Sequence, residues 1–285
     1  MDPAKIKDNT VETCGVNVSI LVITPTLGVS PFLDETIQSV ARFAGRASHV
    51  IVAPQAAVCG LEARYPGLVV ITEGDPGGGI YGALAKAISS LGSGFDWFTW
   101  INDDDRLEPG FSVVNAAAEI ATGVDVIYAN VRFIDKNGMY VSDVPVARSA
   151  RLVRACVETG QIPFTQQGGL IRTSSYFRAG GFSADYRLAA DTELFFRLIA
   201  RGARTLHVDR LAASYRLVKG QLSGNTVLQH AEHDSILAKY AAKRNGPKRL
   251  LVKGIWELTH LTGRIRRIRK YGFRSMRKVM DVVAR

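Results

Sequence analysis

Val16 to Thr24, VNVSILVIT, is an almost continuous apolar run of the length of one strand. A run without polar alternation has no face to offer water, which is the condition of a parallel strand covered by helices on both sides. The next segments fit that requirement. Ser30 can cap a helix with Pro31 at its first position, Asp34 and Glu35 in its first turn, and Leu33, Ile37, Val40 and Ala41 along one face. Val50 to Ala53 and Leu68 to Thr72 read as short strands, Tyr81 to Leu91 as a helix, and Phe98 to Ile101 as another buried strand. A helix from Phe111 to Ala121 follows. This alternation predicts an α/β fold with a mostly parallel central sheet flanked by helices.

Past Gly123 the pattern changes. Asp125 to Ile134 and Met139 to Ser142 read as a hairpin around DKNG. Arg148 to Gly160 is helical in pattern, Gly168 to Arg172 extended, and Asp191 to Arg201 a helix closed by Gly202. Thr205 to Val208 and Ala212 to Val218 read as two strands before a long helix from Thr226 to Arg244. With 285 residues and 47% hydrophobic content, the chain can bury a substantial core as one large domain with an appendage.

Charge divides the chain. The net charge is +10, yet residues 243 to 285 hold 14 Lys and Arg against Glu257 and Asp281, so the body is nearly neutral and the tail strongly basic. Cys14, Cys59 and Cys156 are far apart and odd in number, which fits free thiols in a reducing cytosol rather than a disulfide framework or zinc site. The first 15 residues have no apolar core of a signal peptide, and no run is long enough to cross a bilayer. The sequence therefore predicts a soluble or peripheral protein.

Chemistry concentrates in WFTWINDDDRLEP, Trp97 to Pro109, where Asn102, Asp103, Asp104 and Asp105 follow one another at the end of a buried strand. A solvated acidic turn and a site for Mg2+ or Mn2+ shared with substrate phosphates both fit this stretch taken alone. The carboxyl end of a strand in an open α/β sheet is where ligands sit. The glycine-rich stretch from Gly74 to Gly82 lacks the GxxxxGK[ST] spacing, and a P-loop or dehydrogenase nucleotide fold is disfavoured.

Four stretches in order carry a resemblance: ITPT, EGDPGGGIYGALAKAI, WINDDDRLEPG and GGFSADYRLAADTELFFRLIARGA. Together they resemble glycosyltransferase family 2 on the GT-A fold, in its bacterial surface-polysaccharide branch, from about Val18 to Asn225. The resemblance implies a catalytic domain over residues 1–225, with a nucleotide-sugar half over about 16–122 and an acceptor half over about 123–225. A helical C-terminal region over 226–285 would then end in a basic amphipathic tail. It implies a metal-dependent inverting transfer from a nucleoside-diphosphate sugar to a saccharide or lipid-linked saccharide acceptor. The metal-holding motif falls on Asn102, Asp104 and Asp105, with Asn102 in place of its usual first aspartate. Asp104 and Asp105 are then the expected metal ligands, and Asp191 the general base. Thr24, Pro25, Thr26, Glu73, Asp75, Asn102 and Asp103 are the expected donor-binding residues.

The sequence also departs from that pattern. IVAPQAAVCG has no acidic turn after the second strand, which leaves base recognition to Thr24, Thr26, Glu73 and Asp75. Gln166 and Gln167 stand where many relatives have histidine, and a glutamine cannot titrate. GQLSGN, Gly220 to Asn225, sits where the family has a segment that closes over the donor. His230 and His233, one turn apart, are compatible with metal ligation, but no further His or Cys nearby completes a set, and a solvated helix face is the favoured reading. In the tail, Ile255, Trp256, Leu258, Leu261, Ile265 and Ile268 recur at helical spacing among arginines, the composition of an interfacial helix on anionic lipid, and also that of a helix packed on the body. The expectation is a cytoplasmic protein, peripheral on the inner face of the cell membrane, that binds no nucleic acid. A basic nucleic-acid-binding protein and an inactive family member acting as an assembly partner are the competing readings.

Overall fold

The computed structural model describes residues 18–74, 78–219, 221, 226–241, 246–273 and 279. Its first half is an alternation of strands and helices: β1 (Ile20–Pro25), α1 (Leu33–Ala41), β2 (Ser48–Ala53), α2 (Gln55–Arg64), β3 (Val69–Thr72), α3 (Gly79–Leu91) and β4 (Trp97–Trp100). β1 is buried at every position, as its unbroken apolar run requires. It lies parallel between β2 and β4, and β3 joins parallel on the far side of β2. Alternate side chains serve opposite faces. Leu21 and Ile23 pack with Leu84 and Ile88 of α3, whereas Ile20 and Val22 join the cluster that holds Phe111 and Val114.

The second half continues the sheet with β5 (Arg106–Leu107), α4 (Phe111–Ile120), β6 (Val126–Ile134), β7 (Tyr140–Asp143), α5 (Ala150–Thr159), β8 (Leu170–Arg172), α6 (Thr173–Ala179), α7 (Ala190–Ala200) and β9 (Thr205–Arg216). The strand order is β3-β2-β1-β4-β8-β6-β9-β5, with β7 paired to β6. Here the pairing is mixed. β8 is antiparallel to both β4 and β6, and β7 and β5 are antiparallel to their neighbours, while β6 and β9 run parallel. The predicted hairpin around DKNG is present. The two strands expected at 205–208 and 212–218 are one strand, β9, whose register against β6 shifts around Asn130, so the irregular residues between them interrupt the ladder rather than the strand.

Three helices follow: α8 (Thr226–Tyr240), α9 (Gly246–Thr259) and α10 (Leu261–Tyr271). They dock on the body. Ile236 and Val252 are buried in the main core, and Trp256 packs against its edge. α1 begins two residues later than expected, because Ser30 turns its hydroxyl to the carbonyl of Asp103 and Phe32 takes the cap position. α2 had no apolar periodicity to announce it, and only its Leu61 is buried. Cys59 and Cys156 are free thiols, exposed and buried respectively, and Cys14 lies outside the described residues.

Candidate active site

The carboxyl ends of β1 and β4 are neighbours, and this adjacency builds the first part of the site. The Thr26 hydroxyl donates to Asp103 Oδ2 at 2.5 Å, the Ser30 hydroxyl to the Asp103 carbonyl at 2.9 Å, and the Thr36 hydroxyl to the Asp105 carbonyl at 2.6 Å. A turn of three aspartates is thus clamped through its backbone as well as its side chains.

The three carboxylates differ. Asp105 is fully buried; its Oδ1 accepts the Arg216 N–H at 2.8 Å, and its Oδ2 accepts from Gln167 at 3.3 Å and Asn102 at 3.4 Å. Burial, then the neighbouring Asp104 charge, push its pKa well above the ordinary carboxylate range. Asp104 accepts at Oδ2 from Gln221 Nε2 at 2.6 Å, and Asp103 accepts only from Thr26 among described side chains. Both keep partial exposure and have pKa values raised chiefly by burial. Asn102 leaves its amide oxygen buried with no hydrogen-bond partner.

Arg216 organises this turn. It is 1% exposed. Its Nε donates to the Asp104 carbonyl at 2.8 Å, its Nη1 to the carbonyls of Asp135 and Lys136 at 3.2 Å, and its Nη2 to Glu35. The guanidinium also lies 4.4 Å from the ring centre of Phe32. One side chain therefore ties α1, the acidic turn and the β6–β7 turn together. Gln167 reaches Asp105 because Gly168, at φ +67°, lets the chain turn where a Cβ would meet Ala212 Cβ at 2.8 Å.

Asp191 sits in the first turn of α7, where its Oδ1 accepts the Thr192 N–H at 2.7 Å. Ala189 occupies the cap position, so Asp191 is not the helix cap. Burial raises its pKa, with Thr192, Tyr81 and His233 opposing. Tyr81, in the first turn of α3, and His233 of α8 thus face this carboxylate. The loop before α7 is fixed from outside the sheet: Glu232 of α8 accepts the N–H groups of Arg187, Leu188 and Ala189, each at 2.8 Å. One helical turn on, buried Glu193 pairs with Arg197 at 2.7 Å and accepts from Tyr240 of α8 at 2.5 Å.

No family model matches the sequence, and no curated protein matches it. Solved structures match by shape. S. aureus TarS 1-349 in complex with UDP-GlcNAc aligns over 84% of this chain and 80% of its own, with TM-score 0.56 and 15% identity. The mannosyltransferase PcManGT from Pyrobaculum calidifontis, in complex with GDP-Man and Mn2+, aligns over 93% of this chain and 78% of its own, with TM-score 0.53 and 13% identity. Glucosyl-3-phosphoglycerate synthase from Mycobacterium tuberculosis, with Mn2+, UDP and phosphoglyceric acid, aligns over 80% and 81%, with TM-score 0.52 and 13% identity. The chain has the GT-A fold. It spans 43% of the longer TarS structure, at TM-score 0.53.

Within this GT-A frame the residues singled out by sequence are not equivalent. Thr26, Asn102, Asp103, Asp104 and Asp105 come together. Thr24 is buried with its hydroxyl 2.9 Å from His49, whose pKa burial pushes down to about 4, and Pro25 is buried beside it. Glu73 stands at the end of β3, two strands from β1. Asp75 lies outside the described residues, as does the GQLSGN stretch except for Gln221. Counted from Gly77, GGGIYG does carry the G-x-G-x-x-G spacing. It follows β3 at the sheet edge, whereas a dinucleotide fingerprint follows a central strand.

Three contributors were missed from sequence. Arg216 had a signal, a charged residue inside the strand pattern ASYRLV, which must be paired if buried. Glu232 and His233 had none, because α8 carries no clear apolar stripe to show which face turns inward. His230 is exposed as expected of a solvated face, whereas His233 is half-buried beside Asp191.

Proposed function

We propose that this protein is an inverting glycosyltransferase that moves a sugar from a nucleoside-diphosphate donor to a saccharide or lipid-linked saccharide in cell-surface polysaccharide synthesis. The observation that carries this reading is a pair of differently built carboxylate sites on one GT-A frame: a clamped aspartate turn at the end of β4 and an enclosed Asp191 at the start of α7.

A divalent cation, Mg2+ or Mn2+, fits the first site. Asp103, Asp104 and the partnerless amide oxygen of Asn102 offer hard oxygen donors side by side. No group of three or more His, Cys, Asp or Glu among the described residues could hold a metal ion. Oxygens from the donor diphosphate would therefore share such an ion. Asp104 leads this set with Asp103 at its side, and Asp105 serves as a positioning residue because Arg216, Gln167 and Asn102 already engage its oxygens. When bound, the cation offsets the charge that develops on the departing diphosphate.

Asp191 acts on the acceptor. Its carboxylate takes the proton of the attacking hydroxyl, and burial sets its basicity above that of a surface aspartate. Thr26 and the β1 end support the donor side, together with Glu73 and Asp75. The catalytic unit in this reading runs through α8, since Glu232 holds the loop that presents Asp191.

The tail supports a peripheral position on the cytoplasmic membrane face. Trp256 packs against the edge of the core, so the lipid-facing surface is made by Leu251, Leu258 and Leu261, which are 65%, 73% and 48% exposed among basic residues. No described helix is long and apolar enough to cross a membrane. The central test is a thermal-shift panel of nucleoside diphosphates and their sugars with and without Mn2+. The reading predicts a metal-dependent rise in melting temperature for one donor class that is lost in Asp104→Ala, and no response to any donor would overturn it.

A further inference from the structure

α9, α10 and the β6–β7 edge enclose a cleft of about 580 Å3, separate from the acidic turn and Asp191. Five arginines line it, Arg132, Arg148, Arg264, Arg266 and Arg267, against the two carboxylates Asp143 and Glu257. Some of this charge is matched. Arg264 pairs with Glu257, Arg132 with Glu108 at 2.8 Å, and Arg266 lies 3.8 Å from Asp143. Among the described residues, Arg148 and Arg267 have no carboxylate within ion-pair distance, and Arg267 Nε is buried without a hydrogen-bond partner.

A guanidinium nitrogen withdrawn from water and left without an acceptor is unfavourable, and Arg264 and Arg267, three residues apart on α10, repel one another. Beside the arginines the wall carries the hydroxyl of Thr262. An oxyanion completes such a site, and arginine forks suit phosphate oxygens. The same two helices carry the exposed Leu251, Leu258 and Leu261, so an anion arriving here has an apolar chain surface beside it.

We propose that this cleft binds the phosphate group of an anionic lipid headgroup, which gives the tail a stereochemically defined site rather than diffuse attraction to a charged surface. This extends the membrane reading above and does not depend on the donor site. A headgroup held here fixes the orientation of the body on the bilayer.

The test uses the full chain in EDTA, so that no divalent cation occupies the acidic turn. Binding is measured to vesicles of phosphatidylcholine containing phosphatidylglycerol, for wild type, Arg267→Gln, Arg148→Gln and the charge-matched control Arg269→Gln. Arg269 is exposed and lies outside the cleft. Each cleft variant should weaken binding about tenfold and the control no more than about threefold, with Arg267→Lys restoring part of the loss. Equal losses in all three Gln variants would mean diffuse attraction and overturn the site.

sn-Glycerol 3-phosphate should release wild-type protein from vesicles beyond what sodium chloride of equal ionic strength achieves, and should change the fluorescence of Trp256, which lines the cleft. No release beyond the salt control would sink the proposal. Glycerol phosphate binding without vesicle binding would overturn the lipid source while leaving the nucleotide-sugar reading intact. Circular dichroism melts of each variant separate loss of the site from loss of the fold.

Discussion

The acidic turn and the Asp191 region solve the same problem, holding a carboxylate away from water, by opposite means. The acidic turn is clamped from the β1–α1 segment and from the end of β9. Hydroxyls of Thr26, Ser30 and Thr36 and the buried Arg216 all act on segments between β1 and β9. Asp191 is supported from outside the sheet, by Glu232 of α8 bonding three consecutive amides just before α7. In the proposed reading the difference separates two functions physically: the donor side depends on the β1–α1 segment and β9, and the base side on the docking of one helix. Damage to one should spare the other.

The largest test of that separation is Asp191→Asn. Loss of the proposed general base should lower kcat on the order of 10²-fold or more while calorimetry shows unchanged donor binding. A parallel loss of donor affinity would break the comparison. Its pH dependence follows from the same burial. The Asp191 pKa is raised and the ionised form is active, so kcat should fall as pH drops through a value above the ordinary 3.8. Stability moves the other way for this group. A carboxyl with a raised folded pKa is destabilising when ionised, and its contribution improves as pH falls toward 3.8. Asp34 and Glu108, with lowered pKa values, keep their stabilising contribution above their unfolded values of 3.8 and 4.5 and lose it as pH falls on through the lower folded values. The fall in turnover should be reversible, with circular dichroism reporting a folded protein above pH 4.5.

Arg216→Ala should lower stability by about 3 kcal/mol in denaturant unfolding, since a buried cation and its hydrogen bonds to Glu35, Asp104, Asp135 and Lys136 disappear together. Metal-dependent donor binding should fall with it, and intact binding would show that the turn holds itself. Glu232→Gln should be milder. It removes the charge from three amide contacts and turns an NH2 group toward donors, costing about 1–2 kcal/mol and reducing kcat with donor KM unchanged. A rise in donor KM instead would join the two regions that the structure separates. The smallest effect belongs to the exposed Arg46–Glu119 pair at 3.7 Å, where Arg46→Ala should change stability by under about 0.5 kcal/mol and leave kinetics alone.

Much of the first half was legible because burial on both faces leaves an unmistakable trace. VNVSILVIT led to β1, and IVA to β2, while WFTWI marked the strand whose end carries the aspartates. The site was legible where its chemistry is local in sequence, as in NDDD and DTELFFR. It was illegible where the partner comes from far along the chain. Nothing near Asp105 announces Arg216, and nothing near Leu188 announces Glu232. The distinction among the three aspartates was also hidden, because adjacent identical side chains acquire different roles only when the surrounding turn buries one and leaves two half-exposed. α2 escaped for a simpler reason: a helix with one buried residue has no apolar stripe to read.

The reach of Arg216 has a consequence for how the protein is made. Its bond to Asp105 closes over 111 residues of chain and its bond to Glu35 over 181. During synthesis the strands that carry the aspartates leave the ribosome long before β9 does, and α8 emerges later still. The nascent chain therefore holds three closely spaced carboxylates without their anchoring cation while the 111 residues up to Arg216 are added, and the half proposed to bind the nucleotide-sugar cannot mature as an independent unit. Competence of the site is in this sense a checkpoint on completion: the two carboxylate regions become functional in the order in which their distant partners arrive, Arg216 first and Glu232 last.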